Sequence, residues 1–425
     1  MDTSTIAFII MGVILVLFIT EKIPLALTSI GACVAFAVTG IVPVSAAFSG
    51  FSNDAVFLVV GMMILGDALF ETGVAQVIGK KIGSLVGTSE RAYVTVVMLG
   101  SAALGIVLSN SATVALMLPI TATVAAASGG KITKKNTYMM IGMATVIGGG
   151  LTLVGSPPQL MAQGMLIVGG HQPMGFFEPS LLTLPMLLLL LVYYHTIGRR
   201  LQNKLFNFPE VEDTESAAAG QPDDEKPKSV VKMWIVVAAL VFCIIGFVSE
   251  WWTIGTVSMI GAIVCIGTGC ISQKKAFQKM NWSTVVIIGA SFGIAAGFEQ
   301  SGASGIVANG LIRLFGDNMT PWLLCAMLAL VALVFTNFMS STAMAAILVP
   351  IAIFTALELG YDVKSVVMIT VIAGRAGLAT PISTAPMTMT LAGGYRFRDY
   401  VKVGGLYNLL TFGLILLLIP FILGM

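Results

Sequence analysis

Apolar runs follow one another along this chain almost without pause, and two short polar strings interrupt them at matching places. In the first half the runs cover 5–20, 23–40 and 54–71, then a short glycine-punctuated segment 74–87, a long block 92–127, and runs 137–168 and 179–199. The second half repeats the succession with 232–249, 252–271 and 283–299, a short segment 302–316, a block 321–357, and runs 363–394 and 401–424. A bilayer crossing takes ~20 apolar residues, so the pattern predicts an all-α polytopic membrane protein. The short alternating strands of a β-barrel are absent from it. Two repeats are expected, 1–200 and 232–425, joined by a hydrophilic, proline-containing linker 201–231.

The first polar string is Ser109-Asn110-Ser111-Ala112 and the second is Ser340-Ser341-Thr342-Ala343. Pro119 and Pro350, one in each following run, stand at the same offset from each other as Ser109 and Ser340 do. Hydroxyls and amides at bilayer depth are costly unless they face protein, water or a ligand. A pair at equal offset predicts a duplicated site. Gly73 and Gly302, and Pro157 and Pro381, extend the repeat at slightly smaller offsets, which implies small insertions between.

Composition agrees with a membrane setting: 57% of the 425 residues are hydrophobic and 10% charged, and mean hydropathy is +0.97. The first apolar stretch lacks a basic leading region and a second follows at once, so it is read as a span rather than a cleaved signal. A net charge of +2 leaves no nucleic-acid footprint. The five cysteines lie in or beside apolar runs without metal-ligand spacing, and His171 and His195 are isolated. Trp234, Trp251, Trp252, Trp282 and Trp322 fall near span ends, as an interfacial belt requires.

Each long block is read as a re-entrant hairpin, because its arms of ~17 residues are marginal for a full crossing. Nineteen of the 22 Lys and Arg then share one face, among them Lys22, Lys80, Lys81, Arg91, Lys131, Lys134, Lys135, Lys226, Lys228, Lys274 and Lys279. Arg313 and Lys364 fall on the other face, and Arg375 lies within a span. The positive-inside rule makes the rich face cytoplasmic, with the linker cytoplasmic and both termini external. Five true crossings per half is an odd number, so the second repeat is predicted to be inverted.

Each half also contains a broken span. Gly148-Gly149-Gly150 and Gly155-Ser156-Pro157-Pro158-Gln159 interrupt 137–168; Gly374, Gly377 and the stretch Ala379 to Pro386 interrupt 363–394. Proline removes a donor and glycine relaxes the backbone. Such breaks free carbonyls for a cation and expose helix N-termini to an anion. Hydroxyls, one amide, free carbonyls and helix N-termini together suit coupled movement of an anion with Na⁺.

These residues resemble the divalent anion/sodium symporter family of the ion-transporter superfamily, which contains bacterial dicarboxylate, citrate and sulfate permeases. The tips resemble that family's paired Ser-Asn-Thr motifs, and Gly155 to Gln159 resembles its Gly-Thr-Pro-Pro-Asn loop. Ala379 to Ile382 and Gly393-Gly394-Tyr395-Arg396-Phe397-Arg398-Asp399-Tyr400 resemble the end of its second half. The resemblance implies an elevator transporter, usually a homodimer, moving a small anionic substrate across the lipid bilayer. It implies one Na⁺ site from Ser109, Asn110 and Gly155, and another from Thr336, Met339 (backbone), Ser341 and Ala379 (backbone). It implies substrate contacts at Ser109, Asn110, Ser111, Ser340, Ser341, Thr342 and Pro381, to which the breaks add Pro157 and Thr380. This chain departs from the family pattern at Ser111, at Ser341 in place of Asn, at Gly105 in place of a hydroxyl, and at Gln159 in place of Asn.

Arg375 lies about one helical turn before Ala379 and Thr380. It is expected either to raise the potential at the anion site or to pair with Asp67, Glu71 or Glu299. Asp67 is the residue suited to H⁺ coupling. Rival readings are a sulfate permease, a Na⁺-independent anion exchanger, a cation/proton antiporter and a channel. An antiporter should carry a carboxylate at the broken-helix crossing, where this chain has Ser, Thr and Pro. An intramembrane enzyme would need a nucleophile–base pair, and the tips have no nearby histidine.

Overall fold

The computed structural model describes residues 2–20, 22–77, 89–153, 155–208, 229–249, 251–303, 305–306, 310 and 319–424. Most of the predicted segments 74–87 and 302–316, most of the linker, and Lys80, Lys81, Lys226, Lys228 and Arg313 lie outside the described residues. The first half contains α1 (Thr3–Thr20), α2 (Leu25–Val38), a short α3 (Val44–Ala47), α4 (Asp54–Thr72), α5 (Glu90–Gly105), α6 (Asn110–Ala127), α7 (Lys134–Gly148) and α8 (Pro157–Val168). It closes with α9 (Ser180–Tyr193), which passes through a π turn, Tyr194–Gly198, into α10 (Arg199–Leu205). The second half contains α11 (Val230–Val248), α12 (Ile254–Gly267), α13 (Gln273–Lys279), α14 (Trp282–Gln300), α15 (Pro321–Thr336), α16 (Ser341–Glu358), α17 (Val363–Arg375), a short α18 (Ala385–Met389) and α19 (Phe397–Ile422).

Local chemistry sets many of these ends. Asn53 caps α4 by accepting from the Ala55 N–H at 2.9 Å, and Gly73, at φ +92°, ends it in the left-handed conformation. Thr320 caps α15 with Pro321 at the first helical position, where a missing N–H costs nothing. Among the described residues seven helical stretches are long and apolar enough to cross a bilayer: 54–72, 110–127, 180–205, 230–248, 282–300, 341–358 and 397–422; two of them, 110–127 and 341–358, are the second arms of the expected hairpins, longer than the sequence pattern suggested. α1, α2, α12 and α15 are shorter apolar helices. α11 and α19 turn much of their apolar surface outward, Leu409, Leu417 and Phe421 included, as helices bordered by lipid do.

The halves match in length as well as order. One constant offset carries α5 onto α15 and α6 onto α16 at both ends of each helix, and it is the offset that separates Ser109 from Ser340. α2 and α12 also agree at both ends, as do α4 and α14, at offsets only slightly smaller. Packing repeats too. α4 lies along α12 while α2 lies along α14, so each half contributes the partner the other needs. Within each half the hairpin arms pack on the helix that precedes the break, α5 and α6 on α7, and α15 and α16 on α17. Across the halves α8 packs on α16 and α17, and α18 packs on α6 and α7. Each helix beyond a break therefore closes against the other half's hairpin, which draws both tips and both breaks to the centre.

Contacts at helix ends join the two halves. Glu71 pairs with Lys275 (2.8 Å) and Lys279 (2.5 Å), and Glu178 with Lys364 (2.7 Å). Asp54 accepts from Thr253 Oγ1 and the Gly255 N–H, Ser4 Oγ donates to Ser301 O, and Tyr395 Oη donates to Lys135 O.

Candidate functional site

The two polar tips are the same structure twice. Residues 106–109 join α5 to α6, and 337–340 join α15 to α16. Ser109 takes φ −59°, ψ 143° and accepts the Ala112 N–H at 3.3 Å; Ser340 takes φ −64°, ψ 147° and accepts the Ala343 N–H at 3.2 Å. Both are N-caps. The first N–H groups of α6 and α16, at Asn110, Ser111, Ser341 and Thr342, have no intrahelical acceptor and carry the positive end of the helix dipole.

The breaks also correspond, in a register the sequence pairing of Pro157 with Pro381 missed. α7 matches α17 and α8 matches α18 at starting offsets that differ by a single position. Pro158 thus answers Pro386, and Pro157 answers Ala385. The residues before them, Ser156 (φ −152°, ψ 128°) and Thr384 (φ −152°, ψ 146°), share one extended conformation. A matching hydrogen bond ties each break to its tip: Thr152 Oγ1 donates to Ile106 O (3.1 Å), and Thr380 Oγ1 donates to Asn337 O (2.8 Å). Thr380 and Pro381 therefore sit beside the second tip.

At the first break three glycines leave a cradle. A Cβ on Gly149 would stand 2.3 Å from Asn110 Oδ1 and 2.8 Å from Gly155 O; one on Gly155 would stand 2.3 Å from Gly149 O and 2.7 Å from Gly105 O. Asn110 Oδ1 is buried and has no hydrogen-bond partner among the described residues. An amide oxygen without a donor, beside backbone carbonyls, is an arrangement that fits Na⁺. Asn110 and Gly155 of the expected first set are brought together, with Gly105 and Gly149 added; Ser109 remains exposed as the cap.

The second break is wired differently. Asn337 Oδ1 accepts from the Ala379 N–H (3.0 Å) and from Asn408 Nδ2 (3.3 Å), while Asn408 Oδ1 accepts the Leu378 N–H (3.1 Å). Thr336 Oγ1 donates to Ala332 O at 2.7 Å, and a Cβ on Gly377 would stand 2.7 Å from Thr336 Cβ. Thr336 and Ala379 are thus neighbours of one network whose amide oxygen is already supplied with donors. Sequence reasoning missed Asn337 and Asn408. Asn337 was visible as a polar residue just before the tip, but Asn408 reaches it only through the packing of α19 on α15 and α17.

Arg375, the last residue of α17, is 3% exposed and crosses into the first half. Its Nη2 donates to Val146 O, its Nη1 reaches Gln159 Oε1 at 3.5 Å, and its Nε lacks a partner among the described residues. Gln159 Nε2 in turn donates to Gly150 O at 3.1 Å. None of the three carboxylates expected as partners engages Arg375. Glu71 is held by lysines, Asp67 shares its end of α4 with Glu71 and Lys279, and Glu299 is exposed. The guanidinium finds carbonyls instead because α17 ends against the first break, not against α4 or α14.

Two interrupted helical segments, a capped helix N-terminus at each tip and a buried arginine are parts found in membrane transporters. The chain belongs to the citrate transporter family, whose model matches residues 15–373. The uncharacterized transporter YfbS of Escherichia coli is 32% identical over 184 residues, covering 43% of this chain and 30% of that one. An uncharacterized transporter of Haemophilus influenzae is 27% identical over 415 residues, covering 94% and 88% of the two chains. Sodium-dependent high-affinity dicarboxylate transporter 3 of Caenorhabditis elegans is 25% identical over 457 residues, covering 93% of this chain and 79% of that one. Among solved structures, the YdaH transporter of Alcanivorax borkumensis shares the fold with a TM-score of 0.64 at 14% identity, covering 91% of this chain and 87% of that one. Neisseria gonorrhoeae MtrF, of a class of antimetabolite efflux pumps, shares it with a TM-score of 0.62 at 14% identity, covering 99% and 94%.

Proposed function

We propose that this transporter moves a small dicarboxylate- or citrate-like anion into the cell, driven by Na⁺. The observation that carries the reading is Arg375: a fully buried cation at the junction of the two breaks, with no carboxylate partner among the described residues. Burying an unpaired charge is costly, and an anion at the site offsets that cost. The N-termini of α6 and α16 supply the remaining recognition. Ser109, Asn110 and Ser111 face the anion from one side, Ser340, Ser341 and Thr342 from the other, with Pro157, Thr380 and Pro381 at the breaks. Na⁺ in the Asn110 cradle would add positive potential beside them. Sodium-dependent dicarboxylate transporters among the relatives support the substrate class and the coupling ion.

The matched helix lengths and reciprocal packing support two inverted repeats. On that reading α5–α6 and α15–α16 are hairpins opening to opposite faces, and they move with the broken helices as an elevator against the remaining spans, in a homodimer of the cell membrane. The linker is cytoplasmic and both termini external. Proteoliposome uptake of radiolabelled succinate, citrate and sulfate under Na⁺, K⁺ and pH gradients tests the function. Uptake of a carboxylate driven by the Na⁺ gradient is expected. Sulfate uptake, exchange without Na⁺, or coupling to pH alone would replace this reading with one of its rivals.

A further inference from the structure

We propose that the chain binds a single Na⁺, at the first break, and that an asparagine pair closes the second break in place of an ion. The inference rests on the Na⁺-coupled reading above and departs from the two ion sites that the family resemblance implies.

The hairpin helix ends pair Gly105 with Thr336, and counting back from the starts of α8 and α18 pairs Gly149 with Gly377 and Gly155 with Ser383. At the first break all three positions are glycine, and the space a Cβ would take is bordered by Asn110 Oδ1, Gly155 O, Gly149 O and Gly105 O. At the second break two of the three positions carry side chains. Thr336 packs on Gly377 and donates to Ala332 O, and Ser383 Oγ donates to Thr380 O at 3.0 Å. The cradle is filled.

The amides tell the same story. Asn110 has Ser341 as its counterpart, and Asn337 has Ile106. The second half has therefore moved its amide from the helix side of the tip to the turn before it. From there Asn337 Oδ1 reaches the Ala379 N–H, and Asn408 completes the link through Leu378 N–H and Asn337. These N–H groups satisfy the oxygen that a cation would otherwise need to satisfy. Asn110 Oδ1, Thr113 Oγ1 and Thr145 Oγ1 lack partners near the first tip; among the described residues no side-chain atom from Thr336 to Thr342 is buried without one, and the orphaned oxygens beyond the second tip are the hydroxyls of Thr384 and Thr411, with no amide oxygen among them. A break must be held in shape to present its helix ends. The first half leaves that task to an ion, and the second performs it with its own backbone and two amides.

The test is equilibrium ²²Na⁺ binding to purified full-length protein at constant ionic strength, with unfolding temperature followed over the same titration. One Na⁺ per chain with a Hill coefficient of about 1 is expected. Asn110→Ala should weaken binding by at least about tenfold, Asn110→Asp, which keeps an oxygen in place, should retain it, and Thr336→Val should leave the isotherm within about twofold of wild type. Two Na⁺ per chain, or a site lost in Thr336→Val, overturns the proposal while leaving Na⁺ coupling intact. Absence of any Na⁺ binding overturns both.

Discussion

Gly105, Gly149 and Gly155 at the first break stand where the second has Thr336, Gly377 and Ser383. The surrounding backbone is nearly the same: equal hairpin arms, serine caps with closely matched torsions, and a threonine hydroxyl from each break to its tip. What differs is how each break satisfies its polar groups. One leaves a buried amide oxygen open; the other gives it two donors. The proposed repeat thus keeps one geometry while its halves satisfy their polar groups differently.

The sharpest way to break this contrast is to exchange the small residues. Gly155→Ser puts a Cβ 2.3 Å from Gly149 O and should lower Na⁺-driven uptake roughly 100-fold, whereas Ser383→Gly should keep it within about threefold. Equal losses in the two variants would show that the cradle has no special role. Next come the amides. Asn110→Ala should weaken Na⁺ affinity by at least about tenfold and leave the Na⁺-free unfolding temperature unchanged. Asn337→Ala orphans the Ala379 N–H and should cost about 1–3 kcal/mol of stability, read as a lower unfolding temperature with and without Na⁺. Arg375→Gln should raise the substrate concentration for half-maximal uptake about tenfold, with Arg375→Lys intermediate. Transport that falls only in step with protein abundance would assign Arg375 a structural role. The smallest effect is expected at the periphery. A double-mutant cycle on Glu178 and Lys364, both about one-fifth exposed, should return a coupling of about 0.5 kcal/mol.

The tips were legible because hydroxyls and amides stand out in apolar runs, and the breaks because glycine and proline mark where a helix stops. Register within the second break was not. Pro381 drew the pairing to itself, but the helix resumes at Ala385, and only the shared extended torsions of Ser156 and Thr384 identify the equivalent turn. The partners of Arg375 were also hidden. Charge counting directs an arginine to carboxylates, yet this one meets the side-chain amide of Gln159 and the backbone carbonyl of Val146, a group every residue offers and no composition singles out. Asn408 was hidden as well, since it stands 71 positions from Asn337 and on a helix outside the break.

Arg375 and Val146 stand at the same offset from each other as the starts of α17 and α7. Counted from those starts, the arginine in the proposed repeat bonds to its own counterpart, which places it near the point about which the halves exchange. A side chain there can be present in one half only, because a second arginine at position 146 would meet the first with like charge. A single central charge therefore requires halves that differ at this position, Val146 in one and Arg375 in the other.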